Sequence, residues 1–279
     1  MRSWLVAAAL ASAVLSVHTR AARAESNLPT PDHVVLVMME NHAFAQIVNP
    51  QRAPFIANLA TGGALFLNAF AVAHPSEPNY FALFSGSTHG VRDDGYHSFD
   101  APTLAGALAA AHRSFVGYVD ANSPRKHNPW ESFADARGVE RNMSDFPSDF
   151  SALPTVSFVI PDLDHDMHDG SVRAGDRWLR AHLGAYAEWT KTHKSLLVIT
   201  FDEDDDRGDN RIPTIIYGDD VRPGRYAQHI THYSVLSTLL AMYALPPFGH
   251  AATTPPIREI WLPAVSAAVA TKPIRGEKL

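Results

Sequence analysis

This sequence predicts an α/β layer fold with a largely parallel sheet, on three observations. Apolar runs of strand length, such as "HVVLVMM" (33–39) and "SLLVITF" (195–201), are continuous rather than alternating, as in strands buried on both faces. Segments of helical character lie between such runs, the alternation that produces crossover connections and parallel pairing. The 279 residues, 46% of them apolar, supply one sizeable core.

The elements follow in order. After the first strand at 33–39, residues 53–63 ("APFIANLATGG") read as a helix stopped by glycine, and 64–73 ("ALFLNAFAVA") as a second strand. A helix over 101–113 takes Thr103 as its cap. Strands are expected at 114–120 and 155–161, a long helix over 172–192, strands at 195–202 and 213–218, and a helix over 234–245. Residues 121–152 are rich in Pro, Asn, Ser and charge and read as a lid or substrate loop. Residues 25–279 are expected to form one domain.

The first 24 residues stand apart. An early arginine, the apolar stretch "LVAAALASAVLSV" and "ARA" at 22–24 have the layout of a secretory signal peptide. The stretch is short of the roughly 20 residues that a membrane span needs. The mature protein is therefore expected in the periplasm or outside the cell, with no stable membrane anchor; a retained N-terminal anchor is the alternative. Loss of Arg2, Arg20 and Arg23 takes the formal net charge from −6 to −9. A basic surface for nucleic acid is thus not expected. An acidic protein that handles an anionic substrate needs local positive charge, such as a metal ion. There is no cysteine, which excludes disulfides, zinc–thiolate sites and cysteine nucleophiles. The polar end "TKPIRGEKL" reads as a loose tail.

In open α/β sheets ligands bind beyond the carboxyl ends of the strands. That singles out Glu40-Asn41, Ser76, Asp162 and Asp202-Glu203. Glu40 and Asn41 are either an ordinary strand end or two oxygen donors for a hard cation. In "HPSEPNYFALFSG", Ser76 precedes a proline-containing helix start, so it is either an N-cap or a nucleophile presented where a helix attracts phosphate. A Gly-x-Ser-x-Gly elbow is absent. "IPDLDHDMHDG" crowds Asp162, Asp164, Asp166 and Asp169 around His165 and His168, either as a solvated loop or around a cation. "VITFDEDDDRGDN" is not an EF-hand, because Arg207 and Pro213 stand where glycine and glutamate are required. Asp202 and Glu203 are then the ligand candidates and the acids after them exposed loop. In "QHITHYSVLSTLL", His229 and His232 are either capping neighbours or groups at the sheet edge.

Together and in this order, "HVVLVMMENHAF", "HPSEPNYFALFSG", "IPDLDHDMHDG" and "VITFDED" resemble the bacterial phosphoesterase family of acid phosphatases and phosphatidylcholine-type phospholipases C, over residues 33–245. The resemblance implies an alkaline-phosphatase-like, three-layer αβα sandwich with a largely parallel central sheet. It implies a divalent metal ion held by Glu40, Asn41, Ser76, Asp202 and Glu203, with Ser76 as nucleophile and His168 and His232 near the phosphoryl group. His74 and His165 are further candidates, and a second ion at Asp162, Asp166 or His168 stays open. The expected activity is hydrolysis of phosphate monoesters through a phosphoserine, on a small phosphate ester or a phospholipid headgroup that Arg125, Lys126 and Trp130 are placed to clamp. A phospholipase C-type phosphodiesterase is the alternative, and an exported, non-catalytic metal-binding module is the alternative from another class.

Overall fold

The protein is described by a computed structural model over residues 28–263. The expected signal peptide and the C-terminal tail lie outside the described residues. None of the described helices is long and apolar enough to cross a membrane.

Eight strands build one sheet: β1 His33–Met39, β2 Ala64–Phe70, β3 Phe115–Val119, β4 Glu140–Asn142, β5 Val156–Ile160, β6 Ser195–Phe201, β7 Thr214–Tyr217 and β8 Gly224–Thr231. Their order is β4-β3-β5-β1-β6-β7-β2-β8. All pairings are parallel except those of β7, which runs antiparallel to both β6 and β2. The helices are α1 Phe44–Ile47, α2 Pro54–Gly62, α3 Glu77–Ser85, α4 Leu104–Ala110, α5 Val172–Thr190 and α6 His232–Met242. They cover the sheet in two layers, α2 packing on α5, and α3 on α4 and α6. This is the expected three-layer αβα sandwich.

The continuous apolar strands occupy the middle. β5 and β6 are buried at every position, and β1 at all but His33. Covered by helices on both faces, they have no solvent side on which to place polar residues. The register of β1 on β6 pairs Met39 with Phe201, so Glu40 and Asp202 emerge side by side at the carboxyl edge. Thr103 caps α4 as expected, its Oγ1 accepting from Gly106 N at 3.1 Å.

Two strands escaped the sequence reading. β8 is an edge strand that alternates between exposed and half-buried residues until Ile230. β4 is a three-residue edge. Residues 121–152, expected as a lid or substrate loop, form short 3-10 turns and β4, which pairs alongside β3. Trp130 is buried there, its Nε1 donating to Glu140 Oε2 at 2.7 Å, which removes it from any headgroup clamp. Its ring lies so close to Gly117 that a Cβ there would come within 2.3 Å of it.

Candidate active site

The carboxyl edge collects the residues that end β1, β2 and β6. Ser76 comes from the turn after β2, and Asn79 shapes that turn. The Asn79 Oδ1 accepts from Val72 N and Ala73 N, each at 3.0 Å, and its Nδ2 donates to Ala73 O at 2.9 Å. Ser76 sits at the N-cap of the nine-residue α3, but its side chain makes no capping hydrogen bond. Its Oγ instead lies 3.2 Å from both Glu40 Oε2 and Glu203 Oε1. The hydroxyl faces the carboxylates, while the first N–H of the helix, that of Glu77, donates to Asp94 Oδ1 and that of Asn79 to Ser76 O. At the other end, Gly86 closes α3 in the left-handed region at φ 73°, where its N–H reaches Ala82 O at 3.1 Å.

Glu40, Asp202 and Glu203 are 0%, 0% and 6% exposed. Asn41 N donates to Asp202 Oδ1 at 3.0 Å. Asn41 Oδ1 and Asp202 Oδ2 are buried without a hydrogen-bond partner. Glu203 Oε2 lies 2.5 Å from His74 Nδ1. Burial, with Asp202 alongside, pushes Glu40 well above the usual carboxyl range. Burial likewise raises Asp202 to about 6, and burial with the Asp202 charge raises Glu203 to about 8. Three crowded acids and two unpartnered oxygens fit a positive guest: a hard cation, given an almost purely oxygen donor set. The five residues expected as metal ligands are thus brought together.

A second group adjoins it. His127, which the sequence reading did not single out, is fully buried between Glu40 and Asp166. Its Nε2 is 3.1 Å from Glu40 Oε1 and its Nδ1 3.3 Å from Asp166 Oδ2. Tyr80 stacks on the imidazole with ring centroids 5.1 Å apart and donates its hydroxyl to Glu40 Oε1. Burial holds His127 well below the ordinary histidine range and lifts Asp166 to about 7. Of the acids in "DLDHDMHD", only Asp166 turns fully inward; Asp162 is half-buried and paired with His165 at 2.7 Å. His168 joins through its backbone N, which donates to Asp166 Oδ1 at 2.7 Å, and its Nδ1 bonds Asp169 Oδ1 at 2.7 Å.

The rim carries the positive charge. Lys126 Nζ donates to Asp94 Oδ2 at 2.8 Å, and Asp94 Oδ1 accepts from Glu77 N at 3.0 Å. Burial opposes the charge on Lys126, but the adjoining Asp94 outweighs it and the ammonium's pKa rises. Arg125 pairs with the buried Glu77 at 2.8 Å.

His232 is 1% exposed, its Nε2 hydrogen bonds to Phe201 O at 2.9 Å, one residue before Asp202, its Nδ1 is buried without a hydrogen-bond partner, and burial lowers it to about 4. One expectation changes. Asp204 is not exposed loop: it is 2% exposed, and its carboxylate accepts from the N–H groups of Asp206 and Asn210, each at 2.9 Å. His229 stacks on Phe70 at 5.0 Å, on β8.

Comparison with known proteins agrees with this architecture. The chain is 44% identical over 274 residues to a phosphatidylinositol-3-phosphatase of Mycobacterium tuberculosis, covering 92% of each chain. It is 27% identical to a phosphate-repressible acid phosphatase of Penicillium chrysogenum, covering 78% of this chain and 60% of that one. A solved protein of the alkaline phosphatase superfamily from Vibrio parahaemolyticus has the same fold at a TM-score of 0.58 and 12% identity, covering 83% of this chain and 72% of that one. Residues 46–246 match the Phosphoesterase family, and the chain belongs to that family.

Proposed function

We propose that this chain is a cation-dependent phosphatase, hydrolysing phosphate monoesters through a phosphoserine at Ser76. The observation that carries this reading is the Ser76 hydroxyl, turned away from its capping role and held 3.2 Å from two carboxylate oxygens at a helix N-terminus. A non-catalytic binding module has no use for such a serine. The family and the phosphatase names of its relatives support the same class of reaction.

Glu40, Asn41, Asp202 and Glu203, with Ser76, would hold a divalent cation. When bound, such an ion supplies charge neutralisation for the phosphoryl oxygens and favours the alkoxide of a hydroxyl beside it. The chain's own residues do the rest. Ser76 Oγ attacks phosphorus in line and the ester oxygen leaves, with the positive end of the α3 dipole near the transferring group. His168, its Nδ1 fixed by Asp169, keeps Nε2 to protonate the leaving oxygen. Water then displaces Ser76 Oγ from phosphorus and releases phosphate. The Lys126 ammonium, anchored by Asp94 at the rim, adds positive charge beside the acids.

The substrate class we favour is a monoester, including a phosphorylated lipid headgroup of the kind named in the 44% identical relative. A protein working outside the cytoplasm after signal cleavage fits that range of esters. The test compares p-nitrophenyl phosphate with its choline diester and with short-chain phosphatidylinositol 3-phosphate, before and after chelation. Monoester turnover that is lost on chelation and returns with added cation is expected. Preferential hydrolysis of the diester would make the chain a phospholipase C-type enzyme instead.

A further inference from the structure

Glu40 is gripped at one oxygen only. Its Oε1 accepts from the Tyr80 hydroxyl and lies 3.1 Å from His127 Nε2, whereas its Oε2 lies 3.2 Å from Ser76 Oγ. On the far side of the imidazole, Nδ1 faces Asp166 Oδ2 at 3.3 Å. Glu40, His127 and Asp166 are 0% exposed and Tyr80 is 1% exposed, so no solvent competes for these contacts. The Tyr80 and His127 rings are stacked within 8° of parallel, which fixes the two groups at Oε1 relative to each other. The backbone closes the circuit, Glu40 N donating to Asp166 O at 2.8 Å.

We propose that His127 is a positioning residue that acts through Glu40: bridged to Asp166, it fixes Oε1 so that Oε2 is the oxygen presented to Ser76 and to the cation. The inference rests on the reading of the site as a cation centre. Each ring nitrogen lies within 3.3 Å of a different carboxylate, in contacts too bent to count as hydrogen bonds, which seats the imidazole between the two acids. An imidazole ligand would turn one nitrogen to the ion and give only the other to a carboxylate. Glu40 has two chemically equivalent oxygens and one of them must face the nucleophile; the Tyr80–His127 stack removes that freedom before any ligand arrives. Groups that orient a ligand in this way typically change cation affinity by about 10–100-fold when lost.

The two ring nitrogens can be separated experimentally. In His127→Gln the side-chain amide reaches the Nε2 position, toward Glu40; in His127→Asn it reaches the Nδ1 position, toward Asp166. The metal-stripped full chain is titrated with Mn²⁺, and free ion is counted by electron paramagnetic resonance. We expect His127→Asn to raise the Mn²⁺ Kd about 10–100-fold and His127→Gln largely to restore it. Tyr80→Phe, which removes one hydroxyl and little volume, moves Kd the same way. Unchanged Kd in both His127→Asn and Tyr80→Phe overturns the proposal. Equal losses in the Asn and Gln variants overturn it in favour of a packing role. A stoichiometry that drops by one ion in both His127 variants overturns it in favour of a ligand role. If the unsubstituted protein binds no Mn²⁺, the cation reading falls and the bridge falls with it.

Discussion

Asp176 and Asp202 are buried alike, 2% and 0% exposed, and their surroundings are opposite. Asp176, on α5, accepts from Phe55 N at 3.1 Å and Ile56 N at 2.9 Å, two first-turn donors of α2 that have no partner within their own helix. Its charge also faces the positive end of that helix. Asp202 accepts from Asn41 N, leaves Oδ2 unpartnered, and shares its corner with Glu40 and Glu203. The difference teaches that burial of an acid is no mark of function by itself. A carboxylate that ties two elements together is structural; one left short of donors beside others of its kind is waiting for a positive partner.

The comparison breaks first at the serine. Ser76→Ala is expected to lower p-nitrophenyl phosphate turnover by more than about 10³-fold with the melting temperature nearly unchanged, since the nucleophile is lost and the N-cap site never used its side chain. Activity near that of the unsubstituted protein would remove Ser76 from the reaction.

The paired acids should then cross over. Asp202→Asn is expected to lower kcat/KM by at least about 10²-fold, while the metal-stripped protein is no less stable, because a crowded charge has been removed. Asp176→Ala should do the reverse, costing about 1–3 kcal/mol through the stranded donors at Phe55 and Ile56, with kcat/KM retained. Urea midpoints and steady-state rates on both variants decide it.

A third test uses pH. Asp202, Asp166 and Glu203 are raised to about 6, 7 and 8 in the fold, all above their unfolded values. The native state therefore holds more protons than the unfolded one in this range, and stability falls as pH rises. Below about pH 6.5 the buried His127 and His232, lowered in the fold, pull the other way, so the metal-stripped protein should lose stability most clearly from about pH 6.5 to about pH 8. Added Mn²⁺ should flatten that slope. A urea midpoint that climbs over this interval without cation would contradict the crowded-acid description.

The smallest effect belongs to a purely structural contact. Thr103→Ala removes the cap of α4 and should cost about 1 kcal/mol without touching turnover. A loss of activity here would couple α4 to the site in a way its position does not suggest.

What the sequence disclosed follows the same divide. The central strands were legible because sheet and helix layers demand continuous apolar runs, and β1 and β6 end where the run of apolar letters ends. The strand-end ligands followed, since the chemistry sits one residue beyond. β8 was hidden because an edge strand keeps a half-exposed face, and "GRYAQHIT" has no apolar run to report it. His127 was hidden for a different reason. "RKHNPW" has no period, and the burial of its histidine is created by Tyr80, from another part of the chain. The acidic tracts could not be sorted by letter either. Which of Asp162, Asp164 and Asp166 points inward depends on a turn whose Met167 takes φ 81°, and Asp204 is buried because it closes its own loop onto Asn210.

The grip of Asn79 on residues 72 and 73 has a lasting effect. It folds the stretch from the end of β2 to the first turn of α3 onto its own amide, while Asp94, Arg125 and Asn210 hold the same stretch from the neighbouring loops. A change at Asp94 or Arg125 therefore reaches the attacking oxygen through Glu77, whereas residues of the entrance loops that do not touch Glu77 can vary and select different esters.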